Sequence, residues 1–322
     1  KLSVILLAMA PVALPAVAET PVYLDESQPI EKRVEDALSR MTLREKINII
    51  HAQSKFSSPG VPRLGIPELW CTDGPMGVRP EVLWDEWEQA KWTNDSCTAF
   101  PSLTCLAATW NPEMARLYGK SIGEEARFRN KSVLLGPGVN IYRTPLCGRN
   151  FEYMGEDPYL ASRMAVDYVK GVQSNGVAVC VKHFALNNNE INRHTSNPIV
   201  DDRTLYEIYL PAFRKAVQEA GVGAVMDSYN LVNGVHATEN PVLNIDILRD
   251  RWGFRGILMS DWTSTYSTVG TVNGGLDLEM PKRVWFTPER IKAELAAGRI
   301  TEQAIDEKVV HLSLIHISEP TR

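Results

Sequence analysis

Short apolar runs alternate with amphipathic stretches along most of this chain. Residues 133–135, 177–181, 223–226 and 256–259 are almost wholly apolar, and each run is closed by polar residues or glycine, the pattern of short buried strands. Between them, Leu205, Ile208, Tyr209, Ala212, Phe213, Ala216 and Val217 recur at about 3.6-residue spacing, which predicts a helix over 205–220 that Pro211 should kink. Residues 245–252 predict another helix, stopped by Gly253, a residue type that tolerates the left-handed conformation. Nearer the start, 29–40 predicts a helix, and Thr42 with Glu45 has the spacing of a capping box, so a second helix should begin at Leu43. Strand and helix alternating in this way imply a parallel α/β architecture, either a (β/α)8 barrel or a doubly wound sheet.

The polar residues separate these two. Lys182-His183, Asp227, Asp261 and Glu279 each lie at the C-terminal edge of a different apolar run, which is where a barrel gathers its catalytic groups. No G-x-G-x-x-G follows a strand and there is no P-loop, so the nucleotide-binding form of the doubly wound sheet loses its main support. The expected fold is therefore α/β, a (β/α)8 TIM-like barrel.

Composition narrows the setting. A net charge of -5, with Lys and Arg scattered along the chain, offers no basic surface for nucleic acid. Residues 1–18 have a cation, an apolar run and Ala16-Val17-Ala18, the order of a secretory signal entered part-way, and they imply export to the periplasm or beyond. No membrane partner is expected after its cleavage. The five cysteines are not spaced as metal-ligand pairs, so no metal is expected. Cys97 could pair with Cys105 or Cys71 in an oxidising compartment, but buried free thiols are the preferred reading. The last eleven residues, LSLIHISEPTR, match the translation of a transposase sequencing adapter, so 312–322 are expected to be non-native and the natural gene to run on past His311.

Asp261 ends an apolar strand in Ile257-Leu-Met-Ser-Asp-Trp262, bringing a carboxylate next to a large aromatic. A sugar-cleaving site needs that pairing, because the acid must reach the anomeric carbon while an indole covers the C–H face of the ring. Alone, such an Asp is more often a cap or a turn former. Lys182 and His183, followed by Asn187, Asn188, Asn189 and Glu190, could grip vicinal hydroxyls. Asp73 lies in a Gly- and Pro-rich turn that either approaches a ligand or is a plain Asx turn. Arg143 and Arg149, close to Glu152, form either a surface salt network or a rigid frame for hydroxyl-binding groups.

Together, DGPMGVR, GPGVNIYRTP, GRNFEYMGEDP, VKHFALNN, MDSYN and ILMSDW stand in the order and at about the spacing of glycoside hydrolase family 3 β-glucosidases and β-xylosidases, a resemblance that covers 29–311. The resemblance implies a barrel domain over 19–311, followed in the family by a second α/β sandwich domain. It implies Asp261 as nucleophile with Trp262 beside it. Asp73, Arg143, Lys182 and His183 would bind sugar hydroxyls, Tyr229 would sit by the nucleophile and ring oxygen, and Arg149 and Glu152 would support that shell. The implied activity is a retaining, exo-acting β-glycosidase that releases terminal β-D-glucose through a covalent glycosyl-Asp intermediate. Its substrate would be a β-linked oligosaccharide or aryl glycoside, and it would use no cofactor.

Two departures stand out. Asp227 replaces the small or neutral residue usual before Ser-Tyr-Asn, and its charge could tune the nucleophile or a subsite, or be a tolerated variant. No residue replaces the family's general acid/base, which usually comes from the second domain, and Glu279 reads as a structural strand-end acid. A β-xylosidase of the same family is the near alternative, and a non-catalytic sugar-binding barrel the alternative of another class. The β-N-acetylhexosaminidase branch is disfavoured, because Lys-His-Phe runs into Ala-Leu-Asn-Asn rather than a Gly- and His-rich loop.

Overall fold

The apolar runs pair with one another in chain order. A computed structural model describes residues 20–91 and 95–318, and the expected leader, 1–18, lies outside them. The main sheet contains β1 (Ser57–Ser58), β2 (Leu69–Asp73), β3 (Val133–Leu135), β4 (Ala178–Phe184), β5 (Ala224–Asp227) and β8 (Ile257–Met259), adjacent in that order. A separate hairpin of β6 (Leu231–Val232) and β7 (Val235–His236) follows β5. β2 to β5 and β8 are parallel, with Cys71 beside Val133, Val133 beside Ala178, Cys180 beside Ala224, and Ala224 beside Ile257. Every residue of β4 is buried, as expected for a strand covered on both faces.

The ring closes through shorter pairings. Leu278 bridges Met259 in parallel and Glu279 bridges His51 in parallel, with Ala52 N–H donating to Glu279 at 2.8 Å and Glu279 N–H to Ile50 at 3.0 Å. Gln53 N–H donates to the Ser57 carbonyl at 2.9 Å, returning the ladder to β1, which runs antiparallel to β2. Eight staves thus form a closed barrel of mixed α/β type, with β1 alone reversed.

Helices cover the outside. The helix Pro158–Gln173 starts where Asp157 accepts the N–H groups of Tyr159 and Leu160, with Pro158 at its first position, where no N–H is needed. It packs on the helix Pro112–Phe128, bringing the Tyr118 and Tyr168 rings to 5.8 Å. The capping box at Thr42 is formed in both directions, and the helix Leu43–Ile49 follows it. The helix expected over 205–220 is divided. A wider π-type turn runs Leu205–Tyr209 and an α-helix runs Pro211–Gln218, the break falling where proline lacks a donor. The helix Val242–Arg251 is also π-type, and Gly253 follows it at φ 71°.

β2 is the main strand that the hydrophobic pattern does not show, because Trp70, Cys71 and Thr72 mix polar and apolar residues. Asp73, expected in a turn, is its last residue. All five cysteines are unpaired, with Cys71, Cys147 and Cys180 buried. The helix Glu302–Ser318 runs unbroken across His311, with Leu312 and Ser313 buried. No helix among the described residues is long and apolar enough to cross a membrane.

Candidate active site

At the C-terminal ends of the staves lies a cavity of about 530 Å³. Parallel staves deliver its floor in register: Asp73 from β2, Leu135 from β3, Lys182 from β4, Met226 from β5, and Asp261 two residues past β8. These strands end side by side at the rim, so the fold brings side chains nearly two hundred positions apart into one pocket. The Lys182–His183 and Phe184–Ala185 peptide bonds at the end of β4 are cis.

Asp261 is buried, and its two oxygens differ. Oδ1 accepts the Trp262 backbone N–H at 2.7 Å. Oδ2 has no hydrogen-bond partner of ordinary geometry, although the His183 ring faces it with Nε2 at 3.5 Å and the Tyr229 phenol lies alongside. Burial pushes the Asp261 carboxyl above its ordinary value, and Arg149, Lys182, the Trp262 N–H and the Tyr229 hydroxyl partly offset that rise.

The cations around it are held rigidly. Lys182 Nζ lies 3.2 Å from Asp73 Oδ1 and 4.0 Å from Glu152 Oε2. Burial pushes the pKa of this ammonium down, but the carboxylates of Asp73, Glu152 and Asp261 together hold it above the ordinary lysine value. Arg149 is paired through Nε with buried Glu152, and its Nη2 lies 3.0 Å from His183 Nε2. On the other side of that ring, Nδ1 lies 3.2 Å from Asn140 Oδ1 and 3.2 Å from the Tyr153 hydroxyl. Burial, with Arg149, Lys182 and Arg193 nearby, drives the His183 pKa well below its usual value, so the ring is neutral.

Asp73, Lys182, His183, Arg149, Glu152, Tyr229, Asp261 and Trp262 are thus brought together. Arg143 is not: it is exposed, its guanidinium 5.7 Å from the centre of the Tyr209 ring, and it does not line the pocket. Nor do Asn187 to Glu190, where Asn187 is buried with neither amide atom hydrogen-bonded and Glu190 pairs with Arg193 at 2.7 Å. Asp227 is fully buried and turned away from the cavity, accepting from Asn244 Nδ2 of the outer helix at 3.2 Å. Glu279 accepts the backbone N–H groups of Val284, Trp285 and Phe286 and the Thr265 hydroxyl, so it fastens the loop after its stave.

Pattern reading missed Lys55, Phe56, Trp87, Arg193, Thr263, Pro281 and Lys282 in the wall. They sit on connecting segments with no periodicity to reveal them. Asp73 and Asp261 are the only carboxylates among the described lining residues.

The family model described as the glycosyl hydrolase family 3 N-terminal domain matches residues 63–315. The chain belongs to glycosyl hydrolase family 3. Within that family it is 62% identical over 262 residues to beta-glucosidase BoGH3A of Bacteroides ovatus, covering 81% of this chain and 35% of the relative. It is 42% identical over 266 residues to an exo-alpha-(1->6)-L-arabinopyranosidase of Bifidobacterium breve, covering 83% of this chain and 35% of that protein. A beta-glucosidase from Kluyveromyces marxianus, solved in complex with glucose, superposes with a TM-score of 0.83 at 39% identity, over 88% of this chain and 34% of the other. This family 3 chain therefore spans about a third of the length of the relatives it matches.

Proposed function

We propose that the protein to which this family 3 domain belongs is a retaining, exo-acting β-glycosidase that releases terminal non-reducing β-D-glucose. The observation that carries this reading is the asymmetry of Asp261. One oxygen is pinned by a backbone N–H, while the other, buried beside His183 and Tyr229, has no hydrogen-bond partner of ordinary geometry, and the carboxylate lines the pocket.

The Asp261 carboxylate would attack the anomeric carbon to form a glycosyl ester, and water would then release the sugar with its configuration retained. Lys182 and Asp73 supply a donor and an acceptor for the hydroxyls of one pyranose ring, and Trp262 supplies an apolar wall. Retention needs a second carboxyl about 5–5.5 Å from the nucleophile to protonate the leaving oxygen. Asp73 does not suit that task, since it is already ion-paired with Lys182 and Arg79. No metal or organic cofactor enters this chemistry. Periplasmic or secreted placement is part of the proposal and rests on residues 1–18 alone.

The complete gene product should be incubated with a 2-deoxy-2-fluoro-β-glucoside bearing a good leaving group and digested for mass spectrometry. A fluoroglucosyl adduct on Asp261, absent from Asp261→Asn, is the expected result. An adduct on another carboxylate would remove Asp261 from the role, and binding without turnover would favour a non-catalytic barrel. Comparing nitrophenyl glucoside, xyloside and α-L-arabinopyranoside would assign the sugar, the last being included because of the Bifidobacterium relative.

A further inference from the structure

Three aromatic residues lead outward from the nucleophile. Trp262, next to Asp261, is buried and packs on Phe56 at a ring separation of 5.4 Å. Phe56, also buried, meets Trp87 edge to face at 6.0 Å. Trp87 is 50% exposed and lines the same cavity as Asp261. Of the three rings, only the outermost, Trp87, is open to solvent.

Trp87 is not a loose surface residue. It sits on a small hairpin in which Val82 bridges Gln89, Leu83 N–H donates to Glu88 at 2.9 Å and Ala90 N–H to Glu81 at 2.8 Å. The hairpin is fastened to the barrel where Lys55 N–H donates to Trp84 at 2.9 Å and Lys131 pairs with Glu81 at 2.5 Å. Two cations hold the indole, Lys55 Nζ at 4.8 Å and the Arg79 guanidinium at 5.2 Å from the ring centre, and Arg79 also reaches Asp73 Oδ2 at 3.4 Å. A rigid indole left half open at a sugar pocket has surface that water solvates poorly and that the C–H face of a second ring would cover.

Building on the glycosidase reading above, we propose that Trp87 is the specificity-determining contact for the leaving group. The substrate class would then be β-glucosides whose leaving group is itself a ring, a second pyranose or an aryl group, rather than short alkyl glucosides. Trp87 touches no reacting bond, so its contribution belongs to binding on the leaving-group side of Asp261.

The test compares wild type, Trp87→Ala and Trp87→Phe in the complete gene product. kcat/KM for cellobiose and for methyl β-glucoside is set beside the inactivation rate with 2-deoxy-2-fluoro-β-glucosyl fluoride, whose leaving group is a single atom. For Trp87→Ala, a fall of about 2- to 12-fold on cellobiose is expected, the range of one aromatic contact. Methyl glucoside turnover and inactivation should stay within about twofold, and Trp87→Phe should recover most of the loss. A parallel fall in all three rates would make Trp87 a structural support, and no change on cellobiose would place the leaving group elsewhere. Either result overturns the proposal. A wild type that is neither inactivated nor active on any glucoside would instead defeat the glycosidase reading, and this proposal with it.

Discussion

His183 Nε2 stands 3.5 Å from Asp261 Oδ2, yet the two are not hydrogen-bonded. Arg149 decides this. A guanidinium can only donate, so its Nη2, 3.0 Å away, makes Nε2 an acceptor and leaves the ring proton on Nδ1, where Asn140 Oδ1 receives it. A neutral imidazole with its lone pair already used cannot donate to Oδ2. The buried ring therefore backs the nucleophile without blunting it.

The acid side of the pH profile should follow Asp261. Its folded pKa is raised above the ordinary 3.8, first by burial, so the rate of covalent trapping should fall as pH drops through a value above 3.8. A raised carboxyl contributes stability fully present below its unfolded pKa and lost as pH rises through the folded value. Asp261→Asn should thus melt a few degrees above wild type at neutral pH and converge with it in acid, a gain of roughly 0.5–2 kcal/mol. Scanning calorimetry across pH checks this, and equal melting temperatures at pH 7 would contradict it.

Arg149→Met should remove two things at once. Buried Glu152 loses its close partner and keeps only Lys182 at 4.0 Å, a change worth about 3–5 kcal/mol of stability. His183 loses one of the charges that depress it, so its pKa should move upward and the ring should begin to protonate as pH is lowered. Nitrogen chemical shifts of His183 in titrated samples would show this, and an unchanged ring would mean that burial with Lys182 and Arg193 keeps it neutral without Arg149.

Asp227→Asn tests whether the unusual acid tunes the nucleophile. Burial pushes the Asp227 carboxyl well above the carboxylate range, and it accepts from Asn244 on the far side of the sheet from the cavity. Its stability contribution is present at low pH and lost as pH rises through the raised value. The variant should match wild type in acid, be more stable in alkali, and leave the pH profile of kcat/KM unmoved. A shifted acid limb would show that Asp227 does act on Asp261.

The barrel and the acid at the end of β8 were legible because parallel strands buried on both faces must be continuously apolar, so the first polar residue marks the rim. That logic found Lys182, His183 and Asp261. It failed at β2, whose mixed sequence hid a strand under Asp73, and it gave no sign that Leu205–Tyr209 and Val242–Arg251 would take wider π-type turns. It placed Arg143 and Arg149 together, although the backbone between them turns one outward over Tyr209 and the other inward to His183. Lys55, Phe56 and Trp87 were invisible because loop residues reach the pocket by tertiary placement, which leaves no periodic trace.

The reversed stave β1 links assembly of the fold to assembly of the pocket. The segment from Ile50 to Ser58 joins residue 279 to β2, and within it the Lys55 carbonyl accepts Trp262 Nε1–H at 2.9 Å while Phe56 packs on the same indole. Contacts spanning more than two hundred positions form late in folding, since loop closure must precede them. A chain with every helix made and most strands paired, but with the 50–58 and 279 edges unjoined, would have no wall beside its nucleophile. Partly folded molecules should therefore be silent towards ligand rather than weakly binding, so the fraction that can be trapped counts the molecules whose barrel has closed.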